Sequence, residues 1–311
     1  MPVHPQVQQM LDQLYASGWK EVSGLTVAEA RAQSDYYASL RKFPQTIPDV
    51  KTSDHSLPRE LGQQISLRVY QPITSSFDAA IIFYHGGGYV VSNLQAYDVF
   101  CRWMCAELGA TVISVDYRFA PEFPFPTPIE DGYTALEWVA AQREKLGISD
   151  KHLIVAGDSA GAHLAAMVSI LSRDRKGPKI DAQWLLYPWV DNDISRNSYS
   201  QYAKGYALTT AAMQWFDQHF RSQNKSAVFP AYPMQVDNLA GLPPAVIIPA
   251  ECDPLHDEGQ AYAEKLQEAG NVVYCNEASG MVHGFINQYG VPASFTATME
   301  MFRLFKQSRG F

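Results

Sequence analysis

His152-Leu153-Ile154-Val155-Ala156-Gly157-Asp158-Ser159-Ala160-Gly161 is the stretch that decides the fold. His152 to Ala156 reads as a short strand, mostly apolar as a strand covered on both faces must be. The next five residues form a GxSxG pattern, and a helical pattern through His163, Leu164 and Met167 follows at once. In that strand–turn–helix setting the pattern predicts a serine held on a tight turn at the edge of a sheet, its Oγ free to attack. Glycines two residues to either side let strand and helix approach without a Cβ clash. A Ser N-cap would occupy the same position, but both glycines and the strand together favour a nucleophile.

Working outward, further short runs alternate with helical patterns. The runs are Ile65 to Tyr70, Ala79 to Tyr84, Thr111 to Asp116, Gln183 to Tyr187, Ala245 to Pro249 and Val272 to Cys275. Helical periodicity falls on Ile129 to Glu144, Ala160 to Arg173, Glu258 to Ala269 and Thr296 to Lys306. The alternation predicts an α/β fold with a mostly parallel sheet and helices on both faces. The Pro-rich stretch Pro121 to Pro128 reads as a rigid loop within that domain.

Two segments stand outside the alternation. Residues up to about Lys51 read as two helices, Pro5 to Ser17 and Thr26 to Leu40, the second opened by a Thr26/Glu29 capping box. Asp191 to Phe229 contains the amphipathic run Thr209 to Phe220, with Met213, Trp215, Phe216 and Phe220. Both are rich in apolar residues and are read as a cap over the C-terminal edge of the sheet. The expected organisation is therefore cap helices over 1–51, core over 52–190, cap insertion over 191–229 and core again over 230–311.

Composition narrows the function. The 311 residues carry 24 Lys plus Arg against 32 Asp plus Glu, a net charge of −8 that argues against binding a phosphate backbone, so no nucleic-acid partner is expected. Met1 to Met10 lacks a basic start followed by an apolar run, and no segment approaches a membrane span, so a cytoplasmic protein is expected. Cys101, Cys105, Cys252 and Cys275 lack metal-site spacing and are expected to be reduced and mostly buried, with no metal. A homodimer is compatible with all of this.

A serine hydroxyl needs a base to take its proton, and the base needs a carboxylate to orient it. On this scaffold the order is Ser, acid, His. Asp253 follows the run ending at Pro249, and His283 follows the run ending near Cys275, which selects them over Glu251 and Asp257 for the acid and over His163, His219 and His256 for the base. Donors for an oxyanion are expected in His85-Gly86-Gly87-Gly88, after the run Ala79 to Tyr84, and the hole is assigned to the amides of Gly86, Gly87 and Ala160. Ala160 also opens a helix, whose N-terminus favours an anion. A phosphate loop would want GxxxxGK[ST] or a helix after GxGxxG, whereas Tyr89-Val90-Val91 follows here.

Together these residues resemble the hormone-sensitive-lipase-like branch of the α/β-hydrolases, the bacterial esterases with an HGGG motif and a GDSAG elbow. The resemblance extends from about Leu61 through Asp116-Tyr117-Arg118-Phe119-Ala120-Pro121-Glu122, Tyr187-Pro188-Trp189, Asp253-Pro254-Leu255 and His283-Gly284-Phe285. It implies an eight-stranded sheet, a helical cap and carboxylic-ester hydrolysis without a cofactor. Two departures stand out: Ala162-His163 where the family commonly has Gly-Asn, and Tyr89 where Phe or Trp is frequent. The expected substrate is a small carboxylic ester of short to medium acyl length, in a pocket drawn from Tyr89, Trp189, Tyr206, Trp215, Phe216 and Phe285. Amidase or formamidase action would use the same triad, and a non-catalytic receptor of this fold, like the plant gibberellin receptors that have lost the base, is the other class; His283 weighs against it.

Overall fold

The structure, a computed structural model, describes residues 3–41, 43, 46–59, 63–148, 151–222 and 228–308. Its strands are β1 Val50–Pro58, β2 Gln64–Pro72, β3 Ala79–Tyr84, β4 Thr111–Asp116, β5 His152–Asp158, β6 Ala182–Leu186, β7 Ala245–Ile248, β8 Ala250–Cys252, β9 Val273–Cys275 and β10 Ala278–Val282. Eight form one sheet in the order β1-β2-β4-β3-β5-β6-β7-β9, and β10 pairs with β8 in a small second sheet. Strand β2 runs antiparallel to both its neighbours, and every pairing from β4 to β9 is parallel.

The helices are α1 Pro5–Ala16, α2 Val27–Ser39, α3 Leu94–Leu108, α4 Thr127–Gln142, α5 Ala160–Asp174, α6 Asn197–Gln201, α7 Thr210–Phe220, α8 His256–Glu268 and α9 Pro292–Gln307. Strand alternation divides the core between them. Ile82, Tyr84, Val155 and Leu185 point to the face covered by α4, α5 and α8, while Ile81, Phe83, Ala156 and Trp184 point to the face covered by α1, α3 and α9. Strands β3, β6 and β7 are buried along their whole length, which is why they read as continuous apolar runs.

Three features differ from the sequence reading. Strand β1 lies on residues with no apolar pattern, Lys51-Thr52-Ser53-Asp54-His55-Ser56, because it is an edge strand largely open to solvent. Helix α1 buries Val7 and Leu11 in the same cluster as residues of α3 and α9, so it belongs to the core packing, while the turn at 22–24 packs against α7 and α2 packs against α3. The strands that carry the expected acid and base are β8 and β10, too short to leave a signal of their own.

The Pro-rich loop leads into α4. Arg31 on α2 donates to the carbonyls of Val90 and Ala120 at 2.9 and 3.0 Å and makes a two-pronged contact with Glu122, both at 2.7 Å. The Thr26/Glu29 capping box that starts α2 is present. Residues 223–227 of the expected cap insertion lie outside the described residues. Among the described residues the four cysteines form no disulfide, three of them are buried, and no helix is long and apolar enough to cross a membrane.

Candidate active site

Strand β5 passes into α5 through Ser159, whose φ of 55° and ψ of −121° lie where an L-residue is strained. Neighbouring packing imposes that turn. A Cβ on Gly161 would sit 1.9 Å from the Tyr84 carbonyl oxygen, and one on Gly157 would sit 2.3 Å from the Gly161 backbone. The Ser159 amide donates to the Leu186 carbonyl at 2.9 Å, and its own carbonyl accepts from the amides of His163 and Trp189. The serine is thereby held from both sides, with its side chain at the carboxyl ends of the parallel strands.

Strands β8 and β10 run parallel with Cys252 opposite Val282, so the residues that follow them emerge side by side. Those residues are Asp253 and His283. His283 Nδ1 stands 2.6 Å from Asp253 Oδ2, and Nε2 stands 2.9 Å from Ser159 Oγ. A buried carboxylate only accepts, so Nδ1 carries the proton and the Nε2 lone pair faces the serine hydroxyl. The other Asp253 oxygen accepts the Leu255 amide at 2.9 Å.

The rival residues go elsewhere. Glu251 accepts the Gly280 amide, Asp257 binds the Ser198 amide and His256, and His256 bridges Asp257 and Glu277. His219 packs edge-on against Trp215. His163 is buried behind the elbow, its Nε2 on the Ala231 carbonyl at 2.8 Å and its ring stacked on Tyr232.

One assignment is corrected. The Gly86 amide donates to Asp158 Oδ1 at 2.7 Å and is not available to an oxyanion. Gly87 and Gly88, both at positive φ, and Ala160 at the first position of α5 make no amide hydrogen bond to the described residues. Gly87 and Gly88 also line the same cavity as Ser159 and His283. A sequence alone does not say which amide of a glycine triplet turns inward; the neighbour at Asp158 decides it.

A family model for the alpha/beta hydrolase fold matches residues 81–287, which takes in the glycine triplet, the serine turn, Asp253 and His283. The chain is a hormone-sensitive-lipase-like α/β-hydrolase. It is 36% identical over 279 residues to a carboxylic ester hydrolase, LipN, of Mycobacterium tuberculosis, covering 86% of this chain and 73% of that one. To an ethyl acetate hydrolase of Pseudomonas putida it is 35% identical over 269 residues, 84% of each chain. Among solved structures, a hyperthermophilic esterase of Pyrobaculum calidifontis superposes with a TM-score of 0.87 at 35% identity over 99% of both chains. A thermostable esterase of Pseudomonas putida gives 0.88 at 31% identity, over 97% of this chain and 96% of that one.

In this α/β-hydrolase the cavity at the serine measures about 240 Å³. Trp189 and Phe216 line it, as expected from the sequence, and so do Trp19, Val22, Leu208 and Met213, which the sequence reading missed. The remaining four expected residues do not. Tyr89 is fully buried beneath it, stacked on Phe220 and edge-on to His163. Phe285 packs on Tyr187 in the opposite core, Tyr206 packs against Tyr202, and Trp215 turns toward His219. A larger cleft of about 640 Å³, lined by His152, Arg173 and Pro243, lies at the other end of the strands, away from the serine.

Proposed function

We propose that the chain is a serine carboxylesterase acting on small esters of short to medium acyl length. The observation that carries this is the relay Asp253–His283–Ser159, at 2.6 and 2.9 Å, opening on a small apolar cavity beside three unused amides. His283 Nε2 takes the Ser159 proton as Oγ attacks the ester carbonyl, and Asp253 stabilises the imidazolium so formed. The amides of Gly87, Gly88 and Ala160 receive the oxyanion. When the tetrahedral adduct collapses, the carbon–oxygen bond to the alcohol breaks, and the alcohol leaves with the proton held on His283. Water then gives a proton to His283, attacks the acyl-enzyme through the same arrangement, and releases the acid with Ser159 restored.

Relatives named for carboxylic ester and ethyl acetate hydrolysis support the ester reading. The turn at Trp19–Val22 and the helix α7, which together bring Trp19, Val22, Met213 and Phe216 to the cavity, act as the cap. At about 240 Å³ the space falls below the ~300–1,000 Å³ of drug-sized ligand sites, which suits short acyl groups. Cysteines that form no disulfide among the described residues suit a reducing compartment, and we place the enzyme in the cytoplasm.

The decisive experiment compares the wild type with Ser159→Ala on p-nitrophenyl esters of graded length. Turnover of the variant is expected to fall by about 10³-fold or more with its circular dichroism unchanged. Unchanged turnover would overturn the reading, and a preference for acyl chains beyond about ten carbons would overturn the pocket size inferred here.

A further inference from the structure

The elbow contains a second buried carboxylate for which the relay has no use. Asp158 has lost nearly all contact with solvent, and three donors converge on it. The Gly86 amide reaches Oδ1 at 2.7 Å, while the hydroxyls of Tyr97 on α3 and Tyr187 after β6 reach Oδ2 at 2.8 and 3.2 Å. Both tyrosines are held well above their ordinary pKa, by burial first and by Asp158 itself, so they remain protonated and donate. A carboxylate ringed by donors is satisfied in its ionised form.

The contact with Gly86 also accounts for the glycine. A Cβ there would lie 2.6 Å from Asp158 Oδ2 and 3.0 Å from the Tyr97 hydroxyl, so the loop reaches the carboxylate only because residue 86 has no side chain. The Gly86 carbonyl is taken up by His85 Nδ1 at 2.7 Å and the His85 carbonyl by the Tyr117 hydroxyl at 2.6 Å. These polar groups ahead of Gly87 are thus committed, and the amides of Gly87 and Gly88 are left to face the cavity. Asp158 reaches His283 as well: it lines the same cavity, and the ring of its partner Tyr187 lies 4.8 Å from the imidazole.

We infer that Asp158 is a positioning residue of the esterase, pinning the glycine loop to the serine elbow and holding a fixed negative charge that favours the His283 imidazolium. The inference rests on the ester-hydrolase reading above. Burial raises the Asp158 pKa, against the pull of the Tyr97 and Gly86 hydrogen bonds and of His283 and His85. The titratable groups facing Asp158 are Tyr97, Tyr187, Tyr117, Tyr289, Cys101, His85 and His283, and those facing His283 are Asp253, Tyr187 and Asp158.

Asp158→Asn separates geometry from charge, since the amide oxygen still accepts from Gly86 while the negative charge is gone. On a short p-nitrophenyl ester, kcat is expected to fall about tenfold or more with KM within about twofold. Loss of the charge should also move the rising limb of kcat/KM against pH toward lower pH by about half a unit or more, because the imidazolium loses a stabilising partner. A folded Asp158→Asn variant whose limb stays in place overturns the inference, whether or not kcat falls. Should that variant fail to fold, Tyr97→Phe removes one donor and leaves the charge; kcat is expected to fall severalfold at constant KM, and an unchanged kcat overturns the inference. Failure of the ester-hydrolase reading would be visible separately, in a wild type that hydrolyses no ester.

Discussion

The two sides of the cavity are built on different principles. On the sheet side, Ser159, Gly87, Gly88, Asp253 and His283 are fixed by backbone: a serine at φ 55°, glycines whose Cβ atoms would strike neighbouring backbone or a ring, and two short strands in register. On the opposite side, Trp19, Val22, Leu208, Met213 and Phe216 come from a turn, the loop that precedes α7 and α7 itself, and contribute mainly apolar surface. Residue identity on the first side is dictated by atoms a few ångströms away, whereas many apolar side chains of similar volume would serve on the second. In the function proposed above, chemistry resides on the rigid side and substrate selection on the other.

Replacing Asp253 with Asn should give the largest effect, because it keeps the shape of the sheet side and removes its charge. Asn can present its amide to His283 Nδ1, which stabilises the wrong tautomer and turns a proton toward Ser159. A fall in kcat of about 10⁴ is expected, with unfolding by urea little changed. A loss of tenfold or less would mean that another carboxylate serves His283, and the contrast between a specified and an unspecified side would weaken.

On the opposite side the effect should be smaller and of another kind. Phe216 covers Gly88 so closely that a Cβ there would lie 2.2 Å from its ring. Phe216→Leu opens that end of the cavity, and each methylene of a substrate accommodated in it is worth ~1–3 kcal/mol of discrimination. The kcat/KM ratio of octanoyl to acetyl ester is expected to rise about tenfold while turnover of the acetyl ester stays within a few-fold. Equal losses for both esters would show that Phe216 supports the glycine loop and does not select the substrate.

The same division explains what could be read before the structure. Ser159, Asp253 and His283 were legible because the order of residues and the glycine pattern are consequences of backbone geometry. Gly86 was misread because the partner that occupies its amide, Asp158, lies 72 positions away. Strands β8 and β10 left no periodicity, being three and five residues long. Among the aromatics, Trp189 and Phe216 were found, but Tyr89 stands at a positive φ and turns beneath the elbow to stack on Phe220. Trp19 carries no local mark at all, and Met213 only its place in an amphipathic run, since an apolar residue that lines a cavity looks like one that fills a core.

His163 provides the smallest of these tests, and one confined to the support beneath the sheet side. It stands where the family resemblance leads one to expect Asn, and here it joins Tyr89, Trp189, Phe220 and Tyr232 in a closed aromatic cluster directly behind Ser159. Nε2 meets the Ala231 carbonyl and Nδ1 has no partner among the described residues, an arrangement that suits the neutral ring. Burial lowers its pKa to about 3, overriding the opposing pull of the Ala231 carbonyl and of Asp217. In the unfolded chain the ring titrates near ~6.5. As pH falls below that value the unfolded state takes up a proton that the folded state refuses, so the contribution is complete above about pH 6.5 and is lost toward about 3. Between pH 7.5 and 5 the loss is about 2 kcal/mol, at ~1.4 kcal/mol per unit below the unfolded pKa. His163→Asn keeps a donor for Ala231 and removes the titration, at the cost of ring packing at neutral pH. Urea unfolding at pH 7.5 and pH 5 should therefore show the variant's stability deficit shrinking by about 2 kcal/mol as the pH is lowered. A deficit that stays constant would mean that the ring takes its proton without unfolding, and that the cluster behind Ser159 opens more readily than its packing implies.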